Sequence, residues 1–444
     1  MEGAMHCRIS TLRAYARAAL FFFLVASPAG NSAAQSHPPS DYVNTLRGSD
    51  SRPDYSHGNT FPAVALPFGF NFWTPVTSEE ASGWIYDYRS PTLTGFAVSH
   101  EPSPWIGDYA SLRVSPGVHQ VQLAAKDRAA NFRHEDELAR AHRYKVRLRS
   151  GIETELSPSE HGAVFRFKYP ADPRPHLVFD RFNSRSCVIA IDPSTRSIEG
   201  HVDSRGPRMY FSARFDQPFA PAEAANDRST VALMFPARTT AVVMKIATSF
   251  ISVEQAKLNL EHELASKSLA EVQSEAQARW DALLGRVEVE GASDDRATTL
   301  YSNLYRAFLY PNTMTESDAS GEHHFSPYVG AVRDGVLYVN NGFWDTYRAA
   351  WPLYTLLIPS QSGRMLSGFL SAYSEGGWTP RWSGPGYIDM MVGTHTDIVF
   401  ADAYMKGVRN FDARLAYESM LKNALVDSGD KSVGRHGNRW GVFR

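Results

Sequence analysis

The hydrophobic period of this chain changes once, at Ser252, and that switch limits the fold more than any other feature of the sequence. Before it, apolar and polar residues alternate over short runs: Tyr144, Val146 and Leu148 with Lys145 and Arg147, then Phe211, Ala213 and Phe215 with Ser212 and Arg214. Successive side chains of a strand point to opposite faces, so such runs read as half-buried strands. Val164, Phe165 and Phe167 around Arg166, and the runs at 231–235 and 241–246, continue the series, with Gly, Pro, Asp and Ser between them. Many short strands punctuated in this way predict an antiparallel β-sandwich.

After Ser252 the period is helical. Ser252 is placed to cap a helix over 255–264, and a second pattern rich in Ala, Glu and Gln runs over 269–284, together forming a helical linker. Further helices are expected at 294–308, with Leu300, Leu304 and Phe308 on one face, at 340–359, at 364–373, at 396–406 ended by Gly407, and at 412–426 capped by Asp412. Successive helices joined by aromatic, Gly/Pro-rich loops predict an α/α toroid whose loops at one end build a site. The predicted organisation is a β-sandwich over 35–250, a helical linker over 251–290 and the incomplete front part of an (α/α)6 toroid over 291–444, with no internal repeat of fixed period. So few helices do not close a toroid, and 427–444 is basic, Gly-rich and without period, so the chain is expected to be a fragment whose last helices present apolar faces prone to association.

A formal net charge of −2 and a pI near 6.7 give no electrostatic footprint for nucleic acid or an anionic membrane, so a neutral ligand fits better. Arg8, Arg13 and Arg17 precede an apolar run over 18–26 and the small-residue site Ser32-Ala33-Ala34, which reads as a signal peptide over 1–34. No later run reaches the ~18 apolar residues of a membrane span. The mature chain is therefore expected to be exported, secreted or periplasmic, without stable membrane insertion. Of the two cysteines Cys7 lies in this leader, which leaves Cys187 as a buried structural thiol without an internal disulfide.

The stretch 340–359 carries the chemistry. Trp344, Tyr347, Trp351, Tyr354 and Ile358 recur at helical spacing, while Asp345 and Arg348, three apart, share a second face of the same helix. Asn341 is the expected N-cap, and Pro352 either starts a fresh helical segment or kinks this one. An acid and a guanidinium fixed between indole rings suit a neutral polyol: the rings cover its C–H face and the charged groups bond its hydroxyls. The alternative is an Asp–Arg pair that ties helices together. Two stretches at 54–70 and 83–109 are rich in aromatic, Gly and Pro residues and poor in charge, as ordered irregular lining segments are.

The motifs His57-Gly58-Asn59-Thr60-Phe61-Pro62, Gly95-Phe96 with Ser99-His100 and Gly107-Asp108-Tyr109, Phe343-Trp344-Asp345-Thr346-Tyr347-Arg348 with Pro352-Leu353, Gly393-Thr394-His395 with Ala401-Asp402-Ala403-Tyr404-Met405-Lys406-Gly407, and Val433-Gly434-Arg435 occur in this order. Together they resemble glycoside hydrolase family 92, the exo-acting, calcium-dependent α-mannosidases. The resemblance implies a pocket between a sandwich and an (α/α)6 catalytic domain, and inversion by one carboxylic acid and one carboxylate base. It also implies calcium at the mannose hydroxyls, with ligands that no residue here identifies. No catalytic residue matches on this chain: the family's acid and base are expected beyond Arg444. What carries over is sugar recognition, with Trp344 as a wall, Asp345 accepting from mannose hydroxyls, and Arg348 donating to the ligand or orienting Asp345. His57 and Trp84 come from the sandwich segments that face the pocket, with plain packing as their alternative. His395 begins a predicted helix, where Thr394 and Asp397 resemble a capping box, and is either structural or ligand-facing. Asp389, in the aromatic loop 378–389, is placed for rim contact with a glycan, and Asp402 is read as structural.

After Ser99-His100 the usual family continuation is replaced by Glu101-Pro102-Ser103-Pro104-Trp105, which leaves the linkage open with α-1,2 as the default. The reading is an exported exo-α-mannosidase acting on mannose-containing oligosaccharides or N-glycans. Its competitors are a non-catalytic glycan-binding remnant of such an enzyme and a different α/α-toroid glycosidase or polysaccharide lyase.

Overall fold

Alternation in the first half resolves into two antiparallel sheets. A computed structural model describes residues 7–9, 37–50, 60–77, 85–101, 107–171, 174–182, 184–224 and 229–435. The leader expected at 1–34 lies outside them, save for Cys7–Ile9, whose backbone pairs antiparallel with Val287–Val289. One sheet has nine strands in the spatial order Ser186–Asp192, Ser197–Asp203, Met209–Phe215, Ala241–Ser249, Gly162–Lys168, Glu153–Pro158, Arg143–Leu148, Ala130–Arg140 and Thr92–Leu93. The other has six, in the order Ala220–Ala224, Thr230–Met234, His176–Phe182, Ser111–Gly117, Gly95–Ser99 and Phe72–Val76. Their inner faces interlock through aromatic rings: Phe165 meets Trp73 at 5.3 Å and Phe96 at 6.2 Å, and Phe179 meets Phe215 at 6.1 Å. Tyr144, Val146 and Leu148 are buried and Arg147 is exposed, as their alternation requires.

The segment 72–117, which includes the lining stretch expected at 83–109, is not only irregular. It supplies three strands of the six-stranded sheet, Phe72–Val76 and Gly95–Ser99 being buried at every position and Ser111–Gly117 at its first five. A strand covered on both faces carries no polar alternation, which is why period two is absent there. Pro75 is tolerated because its strand is the edge of the sheet. Cys187 is buried, as expected.

The linker is a helix pair, α1 (Val253–Glu263) and α2 (Leu269–Leu284). The Ser252 hydroxyl accepts from Gln255 N at 3.0 Å, and Ser268 with Glu271 forms a full capping box at the start of α2. Trp280 of α2 donates to Ala65 O at 2.8 Å and packs on Tyr305 at 5.1 Å, which holds linker and helical region together.

The helical region contains α3 (Asp294–Ala307), α4 (Phe343–Thr346), α5 (Ala350–Leu357), α6 (Pro359–Gly376), α7 (His395–Met405) and α8 (Ala413–Leu425). The eight helices among the described residues form no closed barrel. The single helix expected over 340–359 is broken: its chain turns at 347–349 and restarts as α5, with Pro352 in the first turn, where its missing N–H leaves no bond unmade. Asn341 is not an N-cap, since it lies in the two-residue strand Asn341–Gly342 paired with Trp382–Ser383. Between α3 and α4 the chain also forms an unanticipated meander of Thr315–Asp318, Gly321–Ser326 and Ala331–Asp334. Asp412 caps α8 by accepting from Leu415 N at 2.9 Å, and Asp402 bonds Lys406 at 2.7 Å on the surface of α7. One flank of α7 and α8 is bare, with Ile398, Tyr404, Met405, Tyr417, Leu421 and Leu425 exposed. Among the described residues no helix is long and apolar enough to cross a membrane.

Sandwich, linker and helical region meet at His161. Its Nδ1 lies 2.5 Å from Glu263 Oε1 of α1 and its Nε2 3.0 Å from the Thr315 carbonyl of the meander, while its backbone N–H donates to Glu263 Oε2 at 3.0 Å. Both ring nitrogens face acceptors, so both carry hydrogen and the ring is an imidazolium. Burial by itself would lower its pKa, but the charge and hydrogen bond of Glu263, with Glu316 and Glu160 nearby, raise it to about 10.

Candidate active site

Asn340 fixes the approach to α4. It sits in the left-handed region at φ 59°, which asparagine tolerates better than most residues. Its side-chain Nδ2 has two N–H groups, which donate to His100 O at 2.6 Å and Asn312 Oδ1 at 3.0 Å, and it also lies 3.2 Å from the Tyr109 hydroxyl. One side chain thus ties the sandwich turn after Ser99 to the start of the site. Gly342 follows, and a Cβ there would stand 2.4 Å from the Trp382 ring and 2.6 Å from Asp345 Oδ2. Gly342→Ala is therefore expected to push Trp382 and the Asp345 carboxylate outward and cost about 1–3 kcal/mol, read as a lowered urea midpoint.

Asp345 is exposed on α4 beside the partly exposed ring of Trp344. Partial burial raises its pKa, against the opposing pull of its own backbone N–H and the Arg348 charge. Arg348 lies just past the end of α4, where its guanidinium stacks 4.4 Å from the Tyr347 centroid and 5.2 Å from that of Trp344 and donates to Trp344 O at 3.0 Å. This cation–π clamp, rather than a common helix face, is what holds Arg348 near Asp345. Tyr347 in turn stacks on His395, the first residue of α7, at 4.5 Å and 23°. Burial lowers the His395 pKa, and the charges of Arg348 and Arg435 lower it further, so the ring is neutral at neutral pH. Thr394 bonds the Asp397 carboxylate at 2.7 Å rather than a helix N–H, so the capping-box likeness is a side-chain pair.

Trp344, Asp345, Arg348 and His395 thus come together, with Tyr347 as the ring that joins them. Trp351 does not belong to the group: it is 1% exposed and packs among Phe343, Tyr354 and Phe369. Asp389 is exposed and bonded at 3.0 Å by the buried Arg381, which also donates to the carbonyls of Met391 and Lys431. It anchors the rim loop. His57 and Trp84 lie outside the described residues.

Sequence reasoning missed the buried polar wall behind Asn340. Glu101 lies at the Gly384 backbone, its pKa pushed well above the usual carboxylate value by burial and by Asp108. Burial also raises Asp108 to about 6 and lowers His100 to about 4. The sequence signals were the motif residues His100 and Asp108 and the departure from pattern at Glu101, none of which showed that they meet behind Asn340. Among the described residues no group of three or more His, Cys, Asp or Glu could hold a metal ion, so no calcium ligand is assigned.

Comparison with known proteins gives concordant matches. The model of the glycosyl hydrolase family 92 N-terminal domain matches residues 42–263, and that of the family 92 catalytic domain matches residues 255–441. A family GH92 inverting mannosidase from Bacteroides thetaiotaomicron superposes with a TM-score of 0.86 at 36% identity, over 91% of this chain and 57% of its own. A family GH92 α-mannosidase from the same organism shares the fold at a TM-score of 0.78 and 24% identity, over 89% of this chain and 58% of its own. A curated protein from Arthroderma benhamiae, named an uncharacterized secreted glycosidase, is 24% identical over 89% of this chain and 53% of its own length. The chain spans a little over half the length of each of these relatives.

Proposed function

Because the chain belongs to glycoside hydrolase family 92, we propose that it supplies the sugar-recognition half of an exported exo-α-mannosidase, acting on terminal α-linked mannose of oligosaccharides or N-glycans, with α-1,2 linkages as the default. The observation that carries this reading is the exposed Asp345 carboxylate beside Trp344, next to a guanidinium held by stacked rings. A carboxylate accepts from two sugar hydroxyls, an indole covers the C–H face, and a planar guanidinium donates in fixed directions. The neutral His395 backs Tyr347 and so keeps the Arg348 clamp in place. The curated relative's name, a secreted glycosidase, supports export.

Inversion needs an acid and a base about 6.5–9.5 Å apart with water between them. Neither is assigned to a described residue, so this chain's part is to bind and orient the terminal ring. Calcium belongs to the reading through the family resemblance, and bound at the sugar it would engage hydroxyl oxygens.

Titration of the 444-residue chain with methyl α-mannoside in the presence of calcium tests the reading. Binding without release of mannose from α-linked mannobioses is expected, and Asp345→Ala should weaken binding about tenfold or more, the effect of losing a charged hydrogen-bond acceptor. Mannoside affinity untouched by Asp345→Ala would sink the assignment of this site.

A further inference from the structure

A cleft of about 510 Å3 opens where the three parts of the chain meet, and none of its lining residues belongs to the α4 site. The sandwich contributes Glu160 and His161, α2 contributes Arg279, the turn just after α2 contributes Arg286, and the helical region contributes Gln361 and Arg364. Most of its charges are already matched. Arg279 bonds Glu160 at 3.1 Å, Arg364 bonds both oxygens of Glu322, one of them at 3.1 Å, and His161 bonds Glu263. Arg286 is different: its guanidinium donates to Leu357 O at 2.6 Å and, among the described residues, meets no carboxylate. The remaining acid of the cleft, Glu316, has both oxygens occupied, by Phe250 N at 2.8 Å and Asn259 Nδ2 at 3.0 Å.

The cleft therefore presents a guanidinium, that of Arg286, bonded by no carboxylate among the described residues, beside groups that bond hydroxyls. Gln361 and the Tyr338 hydroxyl, joined at 2.8 Å, line it together with Thr313 and Ser317, over an apolar floor of Leu283 and Ile358. Its volume falls in the range of about 300–1,000 Å3 usual for small-molecule sites. A neutral sugar would leave Arg286 unmatched, and a bare anion would leave the hydroxyl-bonding wall unused.

We propose that this cleft binds a hexose bearing a single anionic group, a carboxylate or a phosphate, with Arg286 forked onto its oxyanion and the Gln361 side taking its hydroxyls. A ligand seated there touches sandwich, linker and helical region at once and so stabilises their arrangement. The site is independent of mannose recognition at Asp345, and either can fail alone.

Calorimetric titration and thermal unfolding of the full chain test this with four probes: glucuronate, mannose 6-phosphate, mannose and inorganic phosphate. Glucuronate or mannose 6-phosphate should bind in the millimolar range or tighter and raise Tm, the arm that binds identifying the anionic group. Mannose and inorganic phosphate should each bind about tenfold more weakly, and Arg286→Ala should cost the anionic sugar about tenfold. Arg286→Lys keeps the charge and the stem but loses the fork, so it should fold normally and bind severalfold more weakly. Asp345→Ala should change nothing. The proposal is overturned by absence of binding at millimolar concentrations, by inorganic phosphate or mannose binding equally well, by affinity unchanged in the Lys variant, or by affinity lost in Asp345→Ala.

Discussion

His161→Gln is expected to lower stability by about 3–5 kcal/mol near pH 6, the usual cost of breaking a buried ion pair from one side. Glutamine offers one amide where the imidazolium offers two opposed N–H groups, so either Glu263 or the Thr315 carbonyl loses its partner. Glu263 would stay largely buried as an unmatched carboxylate. The pH dependence follows from the direction of each shift. The folded His161 pKa lies at about 10, above its ordinary 6.5, so its contribution is complete below about 6.5 and drains away as pH rises toward 10. For Glu263, burial alone would raise the pKa, but the His161 charge and hydrogen bonds hold it below the ordinary 4.5, so its contribution is present above that value and is lost on acidification. The wild-type chain should therefore be most stable between these limits, with a decline on the alkaline side that His161→Gln lacks. Urea unfolding followed by tryptophan fluorescence across this range reads both. An alkaline slope of equal size in the variant would show that the imidazolium does not hold the three parts together.

Asn340→Ala should cost about 2–4 kcal/mol and abolish mannoside binding in the same step. Its two amide N–H groups serve two acceptors in a buried setting, and each one left unmatched costs roughly 1–3 kcal/mol before relaxation. Alanine in the left-handed region adds about 1 kcal/mol of strain. Asn340→Gly separates the two effects, because glycine removes the strain and keeps the hydrogen-bond loss. The glycine variant should recover about 1 kcal/mol and still bind mannoside poorly, since α4 begins three residues later and depends on this anchor for its direction. A glycine variant with wild-type stability and binding would mean that the anchor contributes nothing.

The sandwich was legible where a strand alternates cleanly between core and solvent, as at Tyr144, Val146 and Leu148, and illegible where both faces are covered, as at 72–76 and 95–99. Ser252 and Asp412 announced their helices because capping is local chemistry. The spacing of Trp344, Tyr347, Trp351 and Tyr354 did mark rings near one another, but it could not show that the chain turns between Tyr347 and Ala350. That turn decides which rings serve the site and which enter the core. Asn340 and Glu101 owe their roles to partners more than two hundred residues away in sequence, and no local pattern carries such information.

The bare flank of α7 and α8 bears on how the chain fares in a cell. Met405 and Tyr417 stand 80% and 59% exposed, on helices whose opposite sides enter the core through Phe400, Ala403 and Ala416. Holdase chaperones and quality-control proteases read such oily ridges as marks of an unfinished protein. The polypeptide should accordingly be captured and turned over quickly whenever that ridge is left uncovered, even while the sandwich beneath it is fully folded.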